Sequence, residues 1–294
     1  MKALVIGANG QMGSDLMRRA SATPNRPTMF PLTHAELDVT DEFAVRTTLE
    51  TMRPEVVIDT AAYHRVDEVE LNPERTLAAN ALAPFRLAQA CAHISASLVF
   101  VSTDYVFGGD RSRRTPYGEG DTPAPLNVYG ASKLAGEALV RAALERHFII
   151  RTSGLYGLSG ATGRGGNFVE RMLALAAQGK PIRVVNDQHL CPTFTLDLAD
   201  AMLDLITTEQ YGLHHITNDG ACSWYEFTAR VPAVRAARRS LPDHLGGVQE
   251  RRRPAFSALA HPAWLAAGSS PLRHWEQALG DYLAPRRHQP ARAA

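Results

Sequence analysis

Cysteine, lysine, long apolar runs and an excess of either charge are all scarce in this 294-residue chain. Cys91, Cys191 and Cys222 are too few and too far apart for a disulfide framework or a Cys-x-x-Cys metal site, so they read as buried or idle thiols in a reducing compartment. A formal net charge of +1 gives no basic field for nucleic acid. The arginine clusters Arg111–Arg114, Arg238-Arg239 and Arg251–Arg253 are short and scattered, and they read as solvated loops. No apolar run reaches the ~18 residues that would span a bilayer, and Met1-Lys2 leads straight into a buried strand. The expectation is a soluble, cytoplasmic protein with a large core and no nucleic-acid or membrane partner.

What is present is a strand and helix alternation. Ala3–Ile6 is a continuous apolar run ended by glycine, as suits a strand buried on both faces of a parallel sheet. Gly7-Ala8-Asn9-Gly10-Gln11-Met12-Gly13 follows, then a helical pattern over 14–20. Further buried strands are expected at 28–32, 56–58, 98–101 and 148–150, with helices over 41–53, 73–94 and 128–146. This order implies a doubly wound parallel α/β sheet of the Rossmann type. Beyond about Arg151 the pattern loosens into a glycine-rich loop over 154–166, a helix over 168–178, short strands at 182–185 and 214–217 with a helix over 196–207 between them, and a tail of weak periodicity from Ser223. The expected division is a dinucleotide-binding domain of residues 1–153 plus about 184–213, and a smaller C-terminal α/β lobe of about 154–183 and 214–294 that binds substrate.

Lysine occurs only at Lys2, Lys133 and Lys180, which makes Tyr129-x-x-x-Lys133 informative: chance gives such a pair roughly 0.08 times. Four residues apart on a helix, the two side chains share a face, so an ammonium can sit beside a phenol and lower its pKa from ~10. Such a phenol can protonate a carbonyl oxygen as it is reduced. Read in isolation, the pair is equally a surface lysine beside a half-buried tyrosine. The glycines Gly7, Gly10 and Gly13 allow a tight turn and close approach to a pyrophosphate at a helix N-terminus. Thr103, just past the fourth strand, faces the crevice of an open sheet; it can hydrogen-bond a carbonyl or merely cap a loop. At the end of the second strand stand Thr33 and His34 with no carboxylate, which tilts the cofactor toward NADPH. His34 lies either near a 2′-phosphate or in a solvated loop, and Asp38-Val39 come next, where they could flank the adenine.

Taken together, the glycine turn, Ser102-Thr103-Asp104 and Tyr129-x-x-x-Lys133 resemble the extended short-chain dehydrogenase/reductases. Ala61-Ala62-Tyr63, Val66-Asp67-x-x-Glu70, Asn80, Pro125–Gly130, Gly166-Asn167-Phe168, Asp187-Gln188, Pro192-Thr193, Ser223–Phe227 and, weakly, Arg252-Arg253-Pro254 are similar to the dTDP-4-dehydrorhamnose reductase family. The resemblance implies a 4-ketoreductase of a dTDP-4-keto-6-deoxysugar, most simply dTDP-4-dehydro-L-rhamnose, using NADPH with NADH as a second option. It implies Thr103, Tyr129 and Lys133 as catalytic residues. It implies cofactor contacts at Gly7, Asn9, Gly10, Gln11, Met12, Gly13, Asp38, Val39, Ala61, Ala62, Tyr63, His64 and Asn80, joined by Tyr129 and Lys133. Substrate contacts fall on Thr103, Asp104, Tyr105, Gly154, Asn167 and Arg253. A homodimer is compatible with it, and no metal is expected.

The chain departs from the family in three places. Thr152-Ser153-Gly154 stands where well-known members carry Thr-Ser-Trp, which bears on the sugar accepted. Thr33 replaces an acidic residue, and 231–250 is shorter and richer in alanine and arginine than usual. Two other classes share these motifs: a non-catalytic NADP-binding subunit, like the beta subunit of methionine adenosyltransferase, and an epimerase or dehydratase with tightly held NAD. Related dehydratases carry glutamate where this chain has Tyr105, which argues for simple reduction.

Overall fold

Alternate residues of the central strands are buried on opposite sides, because successive side chains of a strand point to opposite faces. In β1 (Lys2–Ile6), Ala3 and Val5 meet one core and Leu4 and Ile6 the other. The computed structural model describes residues 1–159, 166–179, 181–236, 240–243 and 253–285. Its centre is a parallel six-stranded sheet whose other members are β2 (Thr28–Leu32), β3 (Val56–Asp59), β4 (Ser97–Thr103), β5 (His147–Thr152) and β6 (Gly212–His215), in the order β6-β5-β4-β3-β1-β2.

One face is covered by α1 (Gln11–Ala22) and α8 (Thr195–Leu205), through Met12, Leu16, Leu198 and Met202. The other is covered by α2 (Glu42–Met52), α5 (Ala83–His93) and α6 (Val128–Ala143), through Val45, Leu49, Leu87, Cys91 and Val140. Burial on both faces explains why the strands read as unbroken apolar runs. A separate cluster beyond the sheet joins Tyr156, Val169, Met172, Phe194, Phe227, Trp275 and Tyr282. Among the described residues no helix is long and apolar enough to cross a membrane.

Three local differences from the sequence expectations matter to the site. The helix expected over 73–94 is interrupted: Pro73–Leu77 passes into a wide turn, Ala78–Leu82, before α5. That turn buries Asn80, whose amide donates to the Tyr63 carbonyl (2.9 Å) and to Ser132 Oγ (3.1 Å), tying the loop after β3 to α6. β4 runs on to Thr103, pairing it with Thr152 of β5. The last strand of the sheet covers 212–215 rather than 214–217, adding β6 beside β5. Arg251 and Arg252, and much of 231–250, lie outside the described residues.

Candidate active site

The glycine turn is built by three backbone requirements. Gly7 has a φ of +77°, in the left-handed region open to glycine. Its N–H and that of Ala8 donate to the Leu32 carbonyl at 2.9 and 3.1 Å, closing the turn against the end of β2. A Cβ on Gly13 would stand 2.4 Å from the Gly7 carbonyl oxygen, so only glycine lets α1 pack on the turn. α1 then starts with no side-chain cap at Gly10 and no acidic residue in its first turn, which leaves the positive helix end for an anion. Gln11 Oε1 is buried there with no partner among the described residues. This cradle fits the pyrophosphate of a dinucleotide. Asn9 is exposed on it, whereas the Met12 side chain is core, so a contact from Met12 would be through backbone.

Around the turn, Asp38 accepts from the Thr40 N–H (2.9 Å) and hydroxyl (2.8 Å), which hold its carboxyl below the usual range, and Val39 packs into the core. Ala61, Ala62, Tyr63 and His64 form the loop after β3. The Asn80 side chain accepts from the Tyr63 N–H at 2.9 Å, and the His64 ring meets the Ala62 carbonyl at 3.2 Å. Asn80 therefore acts on this loop from behind.

Helix α6 carries the chemistry, and small residues bring it close. Asn127 caps it, accepting from the Gly130 N–H at 2.7 Å. A Cβ on Gly130 would lie 2.1 Å from the Tyr105 carbonyl oxygen, and one on Gly136 would lie 2.4 Å from that of Asn80. The helix is thus seated directly on the end of β4. The Thr103 hydroxyl acts on the Tyr129 phenol, and the Tyr105 ring meets the Tyr129 ring edge-on at 5.9 Å. Burial raises the Tyr129 pKa, opposed by the Thr103 hydroxyl and reinforced by Asp104 and Tyr105. This reverses the expected lowering by Lys133. Lys133 is 1% exposed, its Nζ lies 3.9 Å from the centre of the Phe100 ring, and Asp59 and Glu137 act on its charge. Burial brings it down to about 8, and these carboxylates hold it from falling further. The phenol therefore keeps its proton at neutral pH, which suits donation to a developing alkoxide.

Beneath Lys133 lies a charged wall that the sequence reading missed. Glu137, one turn on, forms a buried bidentate pair with Arg151 at 2.9 and 2.6 Å and accepts from Ser102 Oγ at 2.5 Å. His215 joins through Arg151 at 3.3 Å, and burial pushes it down to about 4. Removing one partner of such a pair leaves an uncompensated charge at a cost of about 3–5 kcal/mol, so the wall is rigid. Asp59, the last residue of β3 and 2% exposed, stands in register with Phe100 of β4 and accepts from the Ala61 N–H at 3.0 Å. Burial lifts its carboxyl to about 6, with Lys133 opposing.

The expected substrate residues divide. Thr103 and Tyr105 border Tyr129. Asp104 instead faces inward, accepting from the hydroxyls of Ser257 (2.6 Å), Ser153 (2.8 Å) and Thr103 (3.2 Å). Asn167 is spent on structure: its side chain caps a helix by accepting from the Glu170 N–H (3.1 Å) and donates to the Gly157 carbonyl and to Tyr282 Oη, both at 2.9 Å. Gly154 has a φ of +55°, and a Cβ there would stand 2.6 Å from Leu190 Cδ1 and 3.2 Å from Pro192 Cα, so a side chain at this left-handed position is strained. Arg253 is half-buried, next to Pro254, which packs over Gly108.

A parallel sheet, a glycine cradle at its first crossover and a Thr-Tyr-Lys group past β4 define an oxidoreductase of the extended short-chain dehydrogenase/reductase class. Residues 1–287 match the family model described as RmlD substrate binding domain, and the chain belongs to that family. It is 37% identical over 288 residues to the spore coat polysaccharide biosynthesis protein SpsK of Bacillus subtilis, covering 97% of this chain and 98% of that one. With the dTDP-4-dehydrorhamnose reductase of Streptomyces griseus it shares 39% identity, over 94% of this chain and 91% of the relative. The crystal structure of dTDP-4-dehydrorhamnose reductase from Bacillus anthracis in complex with NADP superposes with a TM-score of 0.86 at 35% identity, covering 97% of this chain and all of that one.

Proposed function

We propose that this protein reduces the C4 keto group of a dTDP-4-keto-6-deoxysugar, most simply dTDP-4-dehydro-L-rhamnose, using NADPH or NADH. The observation that carries the reading is the juxtaposition of Tyr129 with Thr103, the last residue of β4, with a buried Lys133 one turn along the same helix. When bound, a reduced nicotinamide supplies the hydride. Tyr129 gives its phenolic proton to the carbonyl oxygen as charge develops there. Thr103 orients that oxygen by turning onto it the hydroxyl proton that it gives to Asp104 here. Lys133 holds positive charge behind the site, fixed by Asp59, Glu137 and the Phe100 ring. Gly7, Gly10 and Gly13 admit the pyrophosphate, with Gln11 beside it, and the loop Ala61–His64 closes the adjoining wall. Tyr105 occupies the position where a dehydratase needs an acid, which favours reduction over elimination.

The same reading assigns cofactor to residues 1–153 with about 184–213, and substrate to about 154–183 and 214–294. It also assigns the reaction to the cytoplasm, with a homodimer as a compatible assembly. Incubating the pure protein with dTDP-4-dehydro-L-rhamnose and reduced cofactor, and following loss of cofactor absorbance, is the test. Turnover supports the reading, and no turnover with either cofactor overturns it.

A further inference from the structure

The two oxygens of the Asp104 carboxylate are unequally held. Oδ2 accepts from Ser257 at 2.6 Å and from Ser153 at 2.8 Å, whereas Oδ1 accepts from the Thr103 hydroxyl at 3.2 Å. Asp104, Ser153 and Ser257 are all 3% exposed or less, so these hydroxyls stand in for the water that a carboxylate normally has around it. The two short bonds to Oδ2 do most to stabilise the charge. The long bond on the other oxygen is the one most easily given up, and it is the one that holds the hydroxyl beside Tyr129. The Tyr105 N–H donates to Thr103 Oγ1 at 3.2 Å, which keeps that oxygen in place while its proton swings.

Ser257 reaches this carboxylate from a segment whose backbone is pinned on both sides. Its N–H donates to the His189 carbonyl, and the His189 N–H donates to the Ala255 carbonyl, both at 2.9 Å. A little further on, the Tyr117 N–H donates to the Ala258 carbonyl and the Ala260 N–H to the Tyr117 carbonyl, both at 2.8 Å. Ser153, by contrast, directly follows β5, whose Thr152 pairs with Thr103. The central sheet thus supplies one donor to Oδ2 and the C-terminal segment supplies the other. Tyr129, from α6, and Cys191, whose thiol donates to the Leu259 carbonyl of this segment, both feel the Asp104 charge. Burial pushes each of them up, so both are neutral near neutral pH.

Resting on the reductase reading above, we propose that Ser257 is a positioning residue for the reaction: by sharing Asp104 Oδ2 with Ser153, it leaves the carboxylate only a loose hold on the Thr103 hydroxyl, which is then free to turn to the substrate oxygen. Without the Ser257 hydroxyl, Oδ2 keeps one donor, and the carboxylate both draws harder on Thr103 and takes up a proton more readily. A tighter hold keeps the hydroxyl from the substrate, and a protonated carboxyl no longer directs it. The C-terminal segment therefore tunes the threonine that orients the carbonyl.

The test compares wild type, Ser257→Ala and Ser257→Thr, which keeps the hydroxyl, in steady-state reduction of dTDP-4-dehydro-L-rhamnose and in urea unfolding, each from about pH 5 to 9. Ser257→Ala should lower kcat near pH 8 by about fivefold with KM changed by less than about twofold, and should move the acid limb of kcat up by about one pH unit. Its loss of stability should be larger near pH 8 than near pH 5, because a missing donor costs a buried carboxylate more than a carboxylic acid. Ser257→Thr should keep the limb near its wild-type position. A limb unmoved in Ser257→Ala, or displaced as far in Ser257→Thr, overturns the role of Ser257, as does an equal stability loss at both pH values, and each leaves the reductase reading intact. A wild type that turns over with neither cofactor overturns the two together.

Discussion

The carboxylate of Asp104 accepts a hydrogen bond at 2.6 Å from the hydroxyl of Ser257, 153 residues further along the chain. The same carboxylate takes Ser153, just past β5, and Thr103, beside Tyr129. The returning C-terminal segment is therefore bonded to the carboxylate that also takes the Thr103 hydroxyl. A carboxyl this deeply buried, raised to about 6, is stable as an anion only because those hydroxyls face it.

Asp104→Asn should lower kcat by roughly tenfold, through loss of the charge that aligns Thr103, while costing about 1–3 kcal/mol of stability. Its pH signature separates it from a simple packing defect. Because burial raises the folded pKa to about 6, above the ordinary aspartate value of about 4, the folded protein binds more protons than the unfolded chain between about 4 and 6. Stability from this group is thus lost as pH rises through that window, and Asp104→Asn should flatten the slope in urea titrations. An unchanged slope would remove Asp104 from the account.

Asp59→Asn should move the alkaline limb of kcat/KM to lower pH. Asp59 supports the Lys133 charge against burial, and without it Lys133 should lose its proton below the present value of about 8. Steady-state rates measured across pH 6 to 10 with saturating cofactor check this, and a limb that stays in place would contradict it.

Gly154→Ala should destabilise the protein by about 1–3 kcal/mol, since the substitution puts a side chain at a left-handed position and against Leu190. Urea unfolding would show the loss. An alanine variant as stable as the wild type would mean that this backbone relaxes freely.

Much of the fold was legible because a strand buried on both faces leaves an unbroken apolar run, as at Ala3–Ile6. The glycine turn was legible because backbone geometry admits few other residues there. Three kinds of feature were not. Contacts distant in sequence, such as Asp104 with Ser257 or Glu137 with Arg151, leave no local spacing to read. Asp59 looks like the first polar residue past a strand, and only the fold shows it buried beside a lysine. Asn167 carried a readable signal of a different kind: an asparagine with glutamate three residues later marks a helix start, and it is as a cap that it serves.

The central claim is that the Tyr129 phenol is the proton donor in reduction of a sugar ketone. Its most direct measurement compares wild type with Tyr129→Phe on dTDP-4-dehydro-L-rhamnose, following cofactor oxidation and, separately, cofactor binding. The account predicts a loss of roughly 10²–10⁴-fold in kcat with the cofactor Kd little changed. A phenylalanine variant that turns over at a rate near wild type would contradict it.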